Sequence, residues 1–92
     1  MIPKVIHYIW IGHNPLPELA LNCIRSWKEK CPDYEIRLWN EENLNIQECL
    51  FAKQAYENKK YGFVTDYLRL NIVYEHGGIY LDTDVEVKSM VL

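Results

Sequence analysis

Tyr74-Glu75-His76-Gly77-Gly78-Ile79-Tyr80-Leu81-Asp82-Thr83-Asp84 is the stretch on which the fold turns. Upstream of it, Phe63 to Glu75 carries Val64, Tyr67, Leu68, Leu70, Ile72 and Val73 and reads as a helix. Gly77-Gly78 stops that helix, because glycine supplies the left-handed cap. Ile79 to Asp82 then reads as a short apolar strand. A helix turned by a glycine pair into a buried strand is half of an α/β crossover, and crossovers build parallel sheets.

The rest of the chain repeats the alternation. Val5 to Ile11 is a compact apolar run broken by Gly12, as in a strand buried on both faces. Glu18 to Lys30 is a helix with Leu19, Leu21, Cys23, Ile24 and Trp27, stopped at Cys31-Pro32. Tyr34 to Trp39 alternates as a second strand, and Glu41 to Asn45 is a polar loop. Ile46 to Asn58 is a further helix, Tyr61-Gly62 a break or a tight start, and Val85-Glu86-Val87 a fourth strand. The predicted order is β-α-β-α-α-β-β: an α/β domain with a mostly parallel sheet.

Composition agrees with one small globular unit. Of 92 residues, 49% are hydrophobic, and 10 basic against 13 acidic residues leave a formal charge of -3. Disorder is excluded by that hydrophobicity. A nucleic-acid binder would need a basic surface, so no nucleic acid is expected. No apolar run approaches the roughly 18–20 residues of a membrane helix. Cys23, Cys31 and Cys49 show no Cys-x-x-Cys spacing and read as reduced thiols of a cytoplasmic protein.

Ligands of α/β sheets sit beyond the carboxyl ends of the strands. Two such ends carry chemistry here. Asp82 and Asp84 flank Thr83, and alternate residues of an extended chain share a side. Two adjacent carboxylates repel unless a cation lies between them. Mg²⁺ or Mn²⁺ takes one or two carboxylates together with substrate phosphates, so the pair suits a metal-bridged diphosphate. A solvated turn carries the same residues; the position after a glycine turn and an apolar strand is what sets this pair apart.

At the other end, Trp10 beside Gly12 is either a core aromatic or a platform on which a nucleobase stacks. Tyr80 has the same two readings. Asp66 and Arg69 are three apart on one helical face. They form either a surface ion pair or a site in which Arg69 meets phosphate and Asp66 sugar hydroxyls. Trp27, Trp39 and His7 read as core, and His13 has no evident partner. A haloacid-dehalogenase-like phosphohydrolase also ends a strand in Asp-x-Asp, but on its first strand, with a long chain following.

Taken together, Ile2 to Gly12, Thr65-Asp66-Tyr67-Leu68-Arg69 and Tyr74 to Asp84 resemble glycosyltransferase family 32. That group includes capsular sugar transferases of bacteria and outer-chain mannosyltransferases of yeast, and the glucosylating domains of large clostridial toxins are related. The resemblance implies a GT-A, Rossmann-like fold, a UDP- or GDP-sugar donor, Mn²⁺ or Mg²⁺, and retention at the anomeric carbon. It implies a glycan or glycolipid acceptor, in capsular or cell-surface polysaccharide synthesis at the inner membrane face. Trp10 and neighbouring Gly12 match the donor-base region, and Tyr80 an aromatic beside the donor. Asp66 and Arg69 match the sugar and phosphate contacts, and Asp82 and Asp84 the metal motif. Thr65 stands where the family often has Ser, which keeps the hydroxyl. Family catalytic domains continue well past Asp-x-Asp, so residues 1–92 are expected to be a truncated, donor-binding half-domain. The alternative is a catalytically incomplete sugar-nucleotide-binding or interaction module. An uncovered sheet face would then invite self-association.

Overall fold

The computed structural model describes residues 2–44 and 50–88. Its elements are β1 (Val5–Ile9), α1 (Glu18–Lys30), β2 (Glu35–Trp39), α2 (Leu50–Glu57), α3 (Tyr61–His76) and β3 (Ile79–Tyr80). The strands form one parallel sheet in the order β2-β1-β3, with Val5 opposite Glu35 and Ile6 opposite Ile79. A small α/β domain with a parallel sheet is what the alternation of periods requires.

Side-chain parity along β1 builds two cores. Ile6 and Tyr8 face α1 and pack with Ile24, Trp27 and Cys31. Ile9 faces the other way and, with Ile11 beyond the strand end, packs on Val64, Leu68 and Ile72 of α3. Those three are four apart, so they form one stripe down the helix. In α1 the buried positions Ala20, Cys23, Ile24 and Trp27 do the same. Trp27 is fully buried, with its ring edge-on to Tyr8 at 5.7 Å.

His7 is buried and polar, and its two nitrogens explain why. Trp39 Nε1 donates to Nδ1 at 3.0 Å. The proton therefore sits on Nε2, which donates to the Gly77 carbonyl at 2.8 Å. Burial lowers the His7 pKa below 6.5, against the opposing effect of the Gly77 carbonyl, so the ring is held neutral. This bond fastens the end of α3 to the sheet. Gly78 completes the turn: its φ is +86°, and a Cβ there would lie 2.6 Å from the Val5 carbonyl oxygen.

Several boundaries differ from the sequence expectation. β1 ends at Ile9 rather than Ile11, although Trp10 N–H still bonds the Trp39 carbonyl at 3.0 Å. α3 starts at Tyr61 rather than Phe63, so Tyr61-Gly62 is the start and not the break: both residues belong to its first turn, where glycine costs little. The first residues of the helix expected over 46–58, up to 49, lie outside the described residues.

The fourth strand is absent among the described residues. Val85 N–H bonds the Asp82 carbonyl at 3.1 Å, closing a turn that carries the chain off the sheet. Beyond it, the Val85 carbonyl accepts from Trp27 Nε1 at 2.7 Å and Val87 N–H donates to Ser26 Oγ at 3.0 Å. Side chains of α1 thus take the bonds a neighbouring strand would have taken. The observed order is β-α-β-α-α-β.

Helices cover both faces of the sheet, so the expected uncovered face reduces to a hollow of about 360 Å³ beside β3. Ile79, Leu81 and Val87 are among its lining residues. The largest exposed apolar side chains of the elements lie instead on the helices, at Leu19, Leu70 and Tyr74.

Candidate functional site

A cleft of about 460 Å³ opens where β1 and β3 end and α3 begins; Trp10, Tyr61, Asp66, Tyr80, Asp82 and Asp84 line it. Five of the seven residues singled out in the sequence meet there. The chain leaving β1 brings Trp10, the chain leaving β3 brings Asp82 and Asp84, and the first turns of α3 bring Asp66. Parallel strands put all their carboxyl ends on one edge, which is why segments distant in sequence converge.

Trp10 is half-buried rather than core. Its indole Nε1 donates to the Asn14 carbonyl at 2.7 Å, which pins the ring to its own loop. Asp82 and Asp84 reach the cleft by a different route from the one expected. They are not on an extended chain; they sit at the start and middle of the Asp82–Val85 turn, and both still line the cleft.

Tyr80 is half-buried, and its phenol sits beside the Asp82 carboxylate. Burial raises its pKa well above the ordinary tyrosine value; the charge of Asp82 and a hydrogen bond to it act in the same direction, and Arg69 opposes them. The phenol therefore stays protonated beside the Asp82 carboxylate.

Arg69 and Gly12 are not in the cleft wall. Arg69 Nη2 is 3.9 Å from Asp66 Oδ1, both side chains being substantially exposed. At that separation and exposure the pair adds little stability. Gly12 lies behind Tyr61: its φ is +100°, and a Cβ there would come within 2.8 Å of the Tyr61 ring.

With Asp66, Asp82 and Asp84 against Arg69, the site is net acidic and attracts a cation. Among the described residues no group of three or more His, Cys, Asp or Glu is placed to hold a metal ion. Two carboxylates on one turn nonetheless fit a hard cation that takes its remaining ligands from phosphate oxygens and water.

The sequence reading overlooked Glu41. Its Oε2 accepts from Gly12 N–H at 2.5 Å and from Tyr56 O–H at 2.9 Å, and lies 3.6 Å from His13 Nε2. Burial raises the Glu41 pKa, but the Gly12, Glu41 and Tyr56 hydrogen bonds and the nearby His13 outweigh it and hold the group below 4.5. His13 thus has partners after all. The signal was present: Glu41 follows the carboxyl end of β2, the third strand end on the same edge. Cys23 and Cys31 are buried free thiols, and Cys49 lies outside the described residues.

A parallel sheet with an acidic, aromatic-walled cleft at its carboxyl edge has its cleft where α/β domains of this kind bind ligands. Residues 17–91 match the model of the family described as a glycosyltransferase sugar-binding region containing a DXD motif. The chain belongs to this family, and its fold is consistent with a GT-A-like half-domain. The matched span contains Asp66, Arg69, Tyr80, Asp82 and Asp84; Trp10 and Gly12 precede it.

Individual relatives extend further toward the start. Inositol phosphoceramide mannosyltransferase 3 of Schizosaccharomyces pombe is 35% identical, over 91% of this chain and 24% of its own length. A mannosyl phosphorylinositol ceramide synthase of Saccharomyces cerevisiae is 33% identical, over 91% of this chain and 23% of its own. Subversion of eukaryotic traffic protein A of Legionella pneumophila is 32% identical, over 91% of this chain and 17% of its own. The chain therefore spans about a quarter or less of these relatives.

Proposed function

We propose that the chain is the donor-binding part of a sugar-transferring enzyme, and that its cleft takes a UDP- or GDP-sugar with Mn²⁺ or Mg²⁺. One observation carries this reading: Trp10, Asp66, Tyr80, Asp82 and Asp84, drawn from three separate segments, line a single cleft. A solvated acidic turn would not bring an aromatic and a helical carboxylate to the same place.

The roles follow from chemistry. Trp10 offers a face to the base, and stacking of this kind is indifferent to which base is present. Asp66 accepts from sugar hydroxyls. Arg69 donates in pairs to phosphate oxygens, which suits its planar fork. Asp82 and Asp84 are the residues that would hold the cation, with the protonated Tyr80 phenol beside Asp82. A bound divalent cation supplies Lewis-acid neutralisation of the diphosphate.

Breaking the sugar–phosphate bond leaves negative charge on the departing nucleoside diphosphate. Arg69, already charged before the bond breaks, stabilises that charge as it grows. Transfer with retention follows if the departing phosphate itself accepts the acceptor's proton on the same face, so no protein nucleophile is assigned. The names of the two yeast relatives support mannose as the sugar and an inositol phosphoceramide glycolipid as the acceptor. A capsular or cell-surface glycan is the other acceptor class. The reading proposes work at the cytoplasmic face of a membrane, where either acceptor would be met; among the described residues no helix is long and apolar enough to cross one.

Calorimetric titration of UDP- and GDP-sugars with and without Mn²⁺ tests the reading. Binding that requires the metal is expected. Binding of neither donor under any metal condition would remove the assignment. Hydrolysis of the bound donor in the absence of acceptor separates a working transferase from a module that binds and does not transfer.

A further inference from the structure

We infer that Glu41 is a positioning residue for the donor cleft: with Tyr56 and Tyr61 it clamps the Trp10–Asn14 loop in the shape that presents Trp10 to the ligand. The inference rests on reading the cleft as a nucleotide-diphosphate site.

The loop that carries Trp10 is one that would not hold its shape unaided. Gly12 and His13 are consecutive residues with positive φ, +100° and +63°. Such a pair is sparsely populated in a free chain, and it persists where the surroundings fix it. The loop itself supplies only the Trp10 Nε1 bond to the Asn14 carbonyl.

The rest comes from outside. On one side the Tyr61 ring fills the space where a Gly12 Cβ would be. On the other, the Glu41 carboxylate receives the Gly12 N–H. A hydrogen bond to an ionised acceptor is stronger than a neutral one. Tyr56 reaches the same oxygen from α2, and its ring centroid is 5.5 Å from that of Tyr61. The loop after β2, helix α2 and the first turn of α3 therefore all converge on Gly12, two residues from Trp10. Tyr56 and Tyr61 also pack against the core of Val64, Leu68 and Ile72, whereas Glu41 does not, and neither Glu41 nor Tyr56 lines the cleft. The placement of the Glu41 carboxylate is accounted for by the Gly12 N–H that it holds.

Glu41→Ala, Glu41→Gln and Tyr56→Phe, prepared in the full chain, test the clamp by two independent readouts. The first is hydrogen exchange of the Gly12 amide without nucleotide. It should accelerate by about tenfold or more in Glu41→Ala, the weight of one lost charge-assisted bond. The second is affinity for UDP and GDP with Mn²⁺, which should fall by about tenfold in the same variant. Glu41→Gln retains an oxygen for Gly12 N–H and should restore most of both. Tyr56→Phe should show the smallest loss. Should Glu41→Ala not fold, the two near-isosteric variants carry the test, with the same ranking.

Unchanged Gly12 exchange overturns the clamp. Faster exchange with affinity within about twofold of wild type shows a structural tie that does not serve the cleft, and overturns the positioning role. A wild-type chain that binds neither nucleotide refutes the donor reading and the positioning role with it, while Gly12 exchange still decides whether the clamp exists.

Discussion

Trp27 and Trp10 are the same residue type in opposite settings. Trp27 is 0% exposed, lies edge-on to Tyr8 and donates to the Val85 carbonyl. Trp10 is half-buried, donates to a carbonyl of its own loop and borders a cleft. The first is held by tertiary structure on every side and serves stability. The second is held along one edge, which leaves ring surface for a ligand. The contrast separates the α1 face, where polar groups of the chain satisfy one another, from the carboxyl edge of the sheet, where carboxylates gather without enough protein cations to balance them.

Substitution should pull the two apart. Trp27→Ala removes the largest buried side chain and orphans the Val85 carbonyl. It is expected to cost about 3–5 kcal/mol of folding stability in urea titration. In a domain whose total stability is only about 5–15 kcal/mol, that is a large share. Trp10→Ala should cost about 1–3 kcal/mol in nucleotide affinity and less than about 1 kcal/mol in stability. Equal stability losses at the two positions would erase the distinction and return Trp10 to the core.

A smaller effect comes from His7, which ties α3 to the sheet as a neutral ring. Its folded pKa lies below the 6.5 of the unfolded chain, burial being the main cause. Between those two values the unfolded state binds more protons than the folded one. Stability should therefore hold above pH 6.5 and fall as the pH drops below it. Chemical denaturation at a series of pH values checks the sign. His7→Gln should flatten that part of the profile. A profile that rises toward acid would contradict the tautomer assigned from Trp39 and Gly77.

Arg69→Ala should have the least effect on stability, within about 0.5 kcal/mol, because its pairing with Asp66 is long and exposed. Its effect on binding of a nucleoside diphosphate should be larger than on stability. A variant that loses stability and keeps affinity would make the ion pair structural.

Much of this was legible in the sequence for identifiable reasons. The stripe Val64, Leu68, Ile72 and the run from Val5 to Ile9 carry their periods openly, so α3 and β1 could be read. Strand ends are where α/β ligands bind, so Trp10 and the two aspartates could be singled out.

Other features depended on contacts that spacing does not encode. Val85-Glu86-Val87 alternates like a strand, but alternation does not say whether its backbone will meet another strand or the Trp27 and Ser26 side chains. The extended reading of Asp82 and Asp84 failed for a related reason: the Asp82–Val85 hydrogen bond bends the chain locally while leaving both side chains at the cleft. Glu41 meets Gly12 across 29 residues and Tyr56 across 15. No single segment displays that cluster; it exists only once three elements end on the same edge.

The proposed donor site depends most on the Asp82–Val85 turn, which is expected to bind a divalent cation on behalf of a nucleoside diphosphate. Titration of UDP and GDP into wild type and Asp84→Asn, each with and without Mn²⁺, measures it most directly. Wild type should bind at least one nucleotide more tightly with Mn²⁺, and Asp84→Asn should lose that metal dependence while remaining folded. The same metal-dependent gain in Asp84→Asn as in wild type would contradict it.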